Sequence, residues 1–260
     1  MFTDIHCHLL PAIDDGASSL DESLAMARMA VDDGIGTVTV TPHQLGAFRN
    51  NTGSLIRQRT EQMQRDLDHE RIPLRILPGA DVRIDETMMK GLLSGEVVTL
   101  GDQGKHVLLE LPHELYFSLE PVLKELERLR IVGILSHPER NEGILRNPRI
   151  VSRLVEVGCL MQVTAGSITG TFGPLCQQVS ESMLTQGLVH FVATDAHGSR
   201  RRRPRMRSAF DRVTVLAGSD AAQKICCDFP AAVARGDDVP PGLVSTRKQS
   251  RRWFSMRATA

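Results

Sequence analysis

The chain has 260 residues, enough to bury one large core without disulfides. Its 41% hydrophobic and 24% charged residues are ordinary for a globular protein and exclude disorder, collagen-like repeats and a membrane channel. Lys+Arg and Asp+Glu both number 31, so no global field points to nucleic acid or an anionic membrane, and 4% aromatics leave little for stacking single-stranded bases.

The opening MFTDIHCHLL carries an acid and no Lys or Arg, so it lacks the n-region of a signal peptide. Apolar runs predict strands at Thr3–His6, Thr37–Thr41, Leu74–Leu77, Val107–Leu111, Gly133–Ser136, Cys159–Val163 and Val189–Thr194. Several are apolar throughout, as strands buried on both faces must be. Between them lie helical patterns. Ser19-Leu20-Asp21-Glu22 reads as a capping box before a face of Leu20, Leu24, Ala27 and Val31, and Gly34 as the stop. Leu55–Leu67, Leu119–Leu129, Arg149–Val157 and Leu175–Thr185 read as further helices. Strand–helix alternation throughout predicts a single α/β domain with a parallel sheet, a barrel above other layouts. The domain is placed at residues 1–240, and residues 241–260 are expected to form a basic, mobile tail: after Asp238 there are no acids. No apolar run approaches the ~18 residues of a membrane span. The five cysteines, Cys7, Cys159, Cys176, Cys226 and Cys227, are scattered and form no CxxC pair, which fits a reducing cytoplasm rather than a disulfide framework.

The chemistry lies at the strand ends. In Asp4-Ile5-His6-Cys7-His8, residues two apart share a face, so His6 and His8 can bind one metal ion while Cys7 turns away. Asp14-Asp15-Gly16 is a carboxylate turn, and either acid is a candidate. His43 ends the second strand, Asp81 follows the third and Glu110 lies inside the fourth apolar run, where a charge is costly unless paired or bound to a cation. His137 ends the fifth strand; Asp195 and His197 end the last. His69, His106, His113 and His190 fall outside this set and read as structural or solvated. The C-terminal ends of barrel strands converge on one mouth. So many carboxylates there cannot all ionise without cations between them. Mixed His and carboxylate donors suit Zn, Mn or Fe better than Ca, and predict a multinuclear metallohydrolase. No Cys-x5-Arg, GxSxG or GxxxxGK[ST] motif offers another nucleophile or phosphate loop.

DIHCHLLPAIDDGA, VTVTPH, PGADVRI, LLELP, SHPER and TDAH, in that order, resemble the PHP (polymerase and histidinol phosphatase) superfamily. The resemblance covers about residues 1–240 and is closest to the bacterial manganese-dependent protein-tyrosine phosphatases of capsule and exopolysaccharide clusters. It implies a distorted (β/α)7 barrel with three divalent ions, manganese first and iron or zinc as alternatives. By the same resemblance, His6, His8, Asp81 and Asp195 hold one ion, Asp81, Glu110 and His137 the second, and Asp15 (or Asp14), His43 and His197 the third. Arg140 and Arg202 match two phosphate-binding arginines; Arg200, Arg201 and Arg203 compete with Arg202 for that role. The family's bridging carboxylate is usually Glu, whereas Asp81 is one methylene shorter, which bears on metal affinity and preference rather than on the reaction class.

The reaction implied is direct hydrolysis by a metal-bridging hydroxide, with Arg140 and Arg202 stabilising charge on the phosphoryl oxygens and no covalent phosphoenzyme. The implied partner is a phosphotyrosine-containing protein, above all the tail of a membrane-bound bacterial tyrosine kinase controlling polysaccharide export; no stable nucleic-acid partner is expected. The alternatives are a small-molecule phosphatase, such as one acting on histidinol phosphate, and a nucleic-acid phosphodiesterase.

Overall fold

The computed structural model describes residues 1–246. Residues 247–260 of the tail expected at 241–260 lie outside the described residues. The strands are β1 (Phe2–Cys7), β2 (Ile35–Val40), β3 (His43–Gln44), β4 (Arg75–Pro78), β5 (Asp81–Arg83), β6 (His106–Glu110), β7 (Val132–Ser136), β8 (Leu160–Thr164) and β9 (Phe191–Ala193). All seven anticipated strands are present to within about two residues, and β3 and β5 are additional. The two extra strands continue β2 and β4 after short breaks. Pro42 and Pro78 cannot donate to a ladder there, and a Cβ on Gly79 would lie 2.6 Å from Thr39 Cγ2. The second break turns the chain so that Asp81 pairs with His43.

Every strand pairing is parallel. The orders are β1-β2-β4 and β3-β5-β6-β7-β8-β9. A parallel bridge joins Cys7 to Ala196; Asp195 N–H donates to the His6 carbonyl at 2.7 Å, and His8 N–H to that of Ala196 at 2.9 Å. Parallel neighbours require crossovers, which the helices supply. The protein is thus α/β with parallel sheets.

Alternation along the strands separates two cores. Val107, Leu109 and Leu135 pack into the larger cluster. Leu108, Ile134, Leu160 and Phe191 form the smaller one. Residues two further along each of these strands share that second face, so Glu110, Ser136 and Gln162 stand one step beyond the apolar plug, and Asp195 one step beyond Ala193. The same face is therefore apolar deep in the fold and polar at the C-terminal ends.

Helix Leu20–Asp32 begins as expected, with Ser19 Oγ accepting from Glu22 N–H at 3.2 Å. The reciprocal half of the capping box does not form. The Glu22 carboxylate takes the Ser18 N–H and hydroxyl and reaches Ser199 N–H, donors that together outweigh the single cap amide. Helices Gly53–His69, Glu120–Arg128, Arg149–Glu156 and Pro174–Thr185 match the remaining helical patterns. Helices Met88–Ser94, Arg207–Ala217, Ser219–Gln223 and Phe229–Arg235 were not anticipated; most are too short to show a clear period. Residues Gly242 and Val244 are held: His190 Nε2 donates to the Gly242 carbonyl, and Val244 N–H to that of Gly187, both at 2.8 Å.

Candidate metal centre

The nine metal-ligand candidates come from strand ends up to about 190 residues apart and gather in one place: Asp15, His43, Glu110, His137, Asp195 and His197 line a cavity of about 390 Å³, and the buried His6, His8 and Asp81 cluster with them. His6 Nε2 lies 3.3 Å from His8 Nε2, 3.3 Å from Asp195 Oδ1 and 3.5 Å from Asp81 Oδ2. His43 Nδ1 lies 3.5 Å from the same Asp81 oxygen and 3.6 Å from Glu110 Oε2. His43 Nε2 and His197 Nε2 stand 3.4 and 3.5 Å from Asp15 Oδ1. Donors bonded to one ion at about 2.0–2.2 Å are spaced by roughly 3–3.5 Å. Most of these separations are too long for good hydrogen bonds and suit shared coordination.

Asp81 supplies the clearest test of fit. It is fully buried, yet neither of its carboxylate oxygens has a hydrogen-bond partner; His43 Nδ1 is likewise buried and unpartnered. A buried, unsatisfied carboxylate is expensive unless a cation faces it. The donor set is imidazole and carboxylate, which first-row divalent metals accept.

The electrostatics point the same way. Burial, then repulsion from Asp81, pushes Glu110 up to about 7. Burial opposes the charge on Asp81 and Asp195, but His6 and other neighbouring cations hold both well below the usual carboxylate range. Burial, then the nearby Arg140, pushes His137 down to about 4, so its imidazole is neutral and free to donate a lone pair.

The groupings differ in part from those the motifs imply. His8, Asp15, His43 and His197 form one cluster, His6, His8 and Asp81 a second, His6, His137 and Asp195 a third, and His43, Asp81 and Glu110 a fourth. Glu110 thus stands beside His43 rather than His137, whose Nε2 is 3.9 Å from Asp81 Oδ2. The turn at Asp14-Asp15 resolves into two roles. Asp14 accepts from His8 Nδ1 at 2.7 Å and from the amides of Gly16 and His43, while Asp15 faces the cavity. A Cβ on Gly16 would lie 2.4 Å from the His8 carbonyl oxygen, so only glycine lets this turn close over the histidine.

Sequence reasoning missed several supporting residues. Gln162 Oε1 lies 2.9 Å from His6 Nδ1, and Asp4 accepts from Thr194 N–H at 3.0 Å beneath Asp195. Glu139 is buried and takes Thr164 N–H and the Ser167 hydroxyl, which locks the segment carrying His137 and Arg140. The period-two inward face would have exposed Gln162; the others depend on contacts between distant segments. His113, read as structural or solvated, lines the cavity. His106 and His190 are buried at the opposite ends of the strands.

Arg140 and Arg202 reach the same Asp195 Oδ2, each at 2.6 Å. Their guanidinium carbons lie 4.7 and 5.8 Å from the Phe172 ring centroid. The Nε donors of both arginines are buried and unpartnered. His137, Asp195 and Arg202 all have left-handed backbones, with φ of 35°, 49° and 48°. Such strained non-glycine residues persist only where the surroundings over-determine them.

The family model for capsular polysaccharide synthesis, CpsB/CapC, matches residues 2–235. The chain belongs to the CpsB/CapC family. This is the capsule-cluster branch of the PHP superfamily that its motifs resemble. The chain is 38% identical over 200 residues to the tyrosine-protein phosphatase YwqE of Bacillus subtilis, covering 76% of this chain and 78% of that one. It is 25% identical over 236 residues to the tyrosine-protein phosphatase CpsB of Streptococcus pneumoniae, covering 88% and 97%. A crystal structure from a study of YwqE and CpsB, described there as unique metal-dependent tyrosine phosphatases, superposes with a TM-score of 0.88 at 33% identity, covering 94% of this chain and 99% of that one. The lactonase Lmo2620 of Listeria monocytogenes shares the fold alone, at a TM-score of 0.55 and 12% identity.

Proposed function

We propose that this CpsB/CapC-family chain is a metal-dependent protein-tyrosine phosphatase whose active site is the cavity around Asp81. The observation that carries this reading is that a buried unpartnered carboxylate, Asp81, sits among His6, His43 and His137 beside the cavity that Arg140 and Arg202 line. The parallel strands are read as the distorted (β/α)7 barrel, with β2/β3 and β4/β5 each counted as one stave; the bonds joining β1 to the segment after β9 support closure.

Three divalent ions, manganese first and iron or zinc next, fit the donors. His6, His8, Asp81 and Asp195 would hold one, and Asp15, His43 and His197 another. Asp81 with Glu110 would hold a third, completed by His137 or His43. When bound, such ions neutralise phosphoryl oxygens and supply a nucleophilic oxygen at neutral pH. The protein's own part is to place the ester. Arg140 and Arg202 offer paired donors that match two phosphoryl oxygens, and they are oriented through Asp195. Phe172 lines the same cavity, with both guanidiniums against its ring, and gives the cavity an apolar wall beside the phosphate site. Asp14 and Gln162 fix the tautomers of His8 and His6. Among the described residues, no cysteine lines the cavity, and burial pushes the Cys159 thiol up to about 12 and the Cys7 thiol well above its ordinary value.

The substrate is read as a phosphotyrosine-bearing protein, in particular a bacterial tyrosine kinase governing polysaccharide export, met in the cytoplasm. Among the described residues, no helix is long and apolar enough to cross a membrane.

Activity on a phosphotyrosyl peptide should vanish with a chelator, return with Mn²⁺ and survive iodoacetamide. Activity that resists chelation, or that alkylation at a cysteine other than Cys7 abolishes, would overturn this assignment; a group added to Cys7 would disturb the flanking His6 and His8.

A further inference from the structure

The chain's charges balance, but one eight-residue segment, Arg200–Arg207, holds six arginines. Two of them have internal partners: Arg202 pairs with Asp195, and the Arg207 guanidinium carbon lies 4.7 Å from the Phe2 ring centroid. Among the described residues, no carboxylate pairs with Arg200, Arg201, Arg203 or Arg205, all of which are exposed.

The two acids that could neutralise this segment are committed elsewhere. Glu22 Oε1 takes Ser199 N–H at 3.3 Å, and Asp33 Oδ2 takes the backbone amides of Met206 and Arg207. These bonds hold the segment at both ends. In the middle, His197 N–H donates to the Arg202 carbonyl at 2.9 Å, and Arg203 Nε donates to the Arg200 carbonyl at 3.0 Å. Pro204 and Met206 are buried anchors. The acids thus fix the backbone and form no ion pair with the guanidiniums of Arg200, Arg201, Arg203 and Arg205.

These arginines line a recess of about 640 Å³ with Thr169, Thr171 and Phe172. Arg202 and Phe172 also line the metal cavity, so the two hollows share a wall. An extended peptide advances about 3.3–3.6 Å per residue, so residues a few positions from a phosphotyrosine in the cavity reach the recess.

We propose that the arginine-lined recess is a second anion subsite, which binds carboxylates or phosphates flanking the scissile phosphotyrosine and makes an acidic peptide segment the preferred substrate. This rests on the phosphatase reading. A peptide fits better than single-stranded nucleic acid, because among the described residues Phe172 is the one aromatic ring lining the recess and it already faces Arg140 and Arg202.

The test compares one phosphotyrosyl core flanked by Glu, Ala or Lys, with p-nitrophenyl phosphate as a substrate too small to reach the recess. The wild type should prefer the Glu peptide to the Ala peptide by about tenfold in kcat/KM, through KM, and the preference should shrink at 0.5 M salt. The variant Arg200→Gln/Arg201→Gln/Arg205→Gln should reduce that preference to under about twofold and leave p-nitrophenyl phosphate turnover unchanged. Arg203 is retained because its Nε supports the loop. Equal kcat/KM for the Glu and Ala peptides in the wild type would overturn the proposal. So would a preference that survives in the variant, or a parallel fall with p-nitrophenyl phosphate. Stronger competition from a single-stranded oligonucleotide than from an equally charged Glu peptide would overturn it in favour of nucleic acid. If no substrate is turned over, the phosphatase reading fails separately, and fluorescence anisotropy of the same peptides still reads the subsite by the same ratio.

Discussion

Asp14 accepts a hydrogen bond from His8 Nδ1 at 2.7 Å, which leaves His8 Nε2 pointing at His6 Nε2, 3.3 Å away. A carboxylate in this position fixes the imidazole's tautomer and raises its basicity toward a metal. Asp14→Asn has one acceptor oxygen where the site uses two, Oδ2 for His8 Nδ1 and His43 N–H and Oδ1 for Gly16 N–H, and it removes the negative charge beside His8. The expected result is a loss of about 10–100-fold in apparent Mn²⁺ affinity with the fold preserved. Calorimetric Mn²⁺ titration of the apoprotein checks it; unchanged affinity would mean that Asp14 only shapes the turn.

His43→Ala and His137→Ala remove donors from different clusters. Each should cut turnover by at least about 10²-fold, since multimetal clamps act as a unit. The readout is kcat on a phosphotyrosyl peptide at saturating Mn²⁺, with circular dichroism to confirm folding. Near-normal turnover in either variant would place the chemistry elsewhere.

Arg202→Lys and Arg140→Lys should each weaken catalysis by about 1.5–3 kcal/mol, the range for hydrogen bonds to charged groups. An ammonium cannot supply two parallel donors or stack on Phe172 as a guanidinium does. Arg200→Lys and Arg201→Lys keep the charge on exposed side chains and should change kcat/KM on the same peptide little. Equal small effects at all four positions would remove the phosphate role from both arginines.

His190 gives a pH signature remote from the metal centre. It is fully buried, its Nδ1 accepts from Met161 N–H at 3.1 Å, and burial pushes it down to about 4. The unfolded histidine titrates near 6.5, so the unfolded chain binds the extra proton first. The stabilisation is complete above about pH 6.5 and is lost as pH falls towards 4, by up to roughly 3 kcal/mol. His190→Gln, which can keep both hydrogen bonds without titrating, should flatten that part of the urea-midpoint profile. Identical profiles for the two proteins would show that His190 contributes no such linkage.

The strands, and the polar residues that stand at their ends, were legible because both follow local rules. A strand buried on both faces must be apolar, and a polar residue at its end must be turned towards something that satisfies it. Glu110 stood out within Val107–Leu111 for that reason. Helices Ser219–Gln223 and Phe229–Arg235 were not legible, because too few turns are present for a period to emerge.

By itself the sequence determined that His6, His8, one acid of the Asp14-Asp15 turn, His43, Asp81, Glu110, His137, Asp195 and His197 stand at or just beyond strand ends. The reason is that side-chain alternation and the cost of burying charge operate within a few residues. Only the tertiary structure decided that Asp14 supports and Asp15 faces the cavity, that Glu110 stands by His43, and that Arg202 rather than its neighbours reaches Asp195. Those choices turn on contacts between distant segments. His6 meets Gln162 across 156 positions, and the strained backbones at Asp195 and Arg202 are held in place by packing that no local pattern encodes.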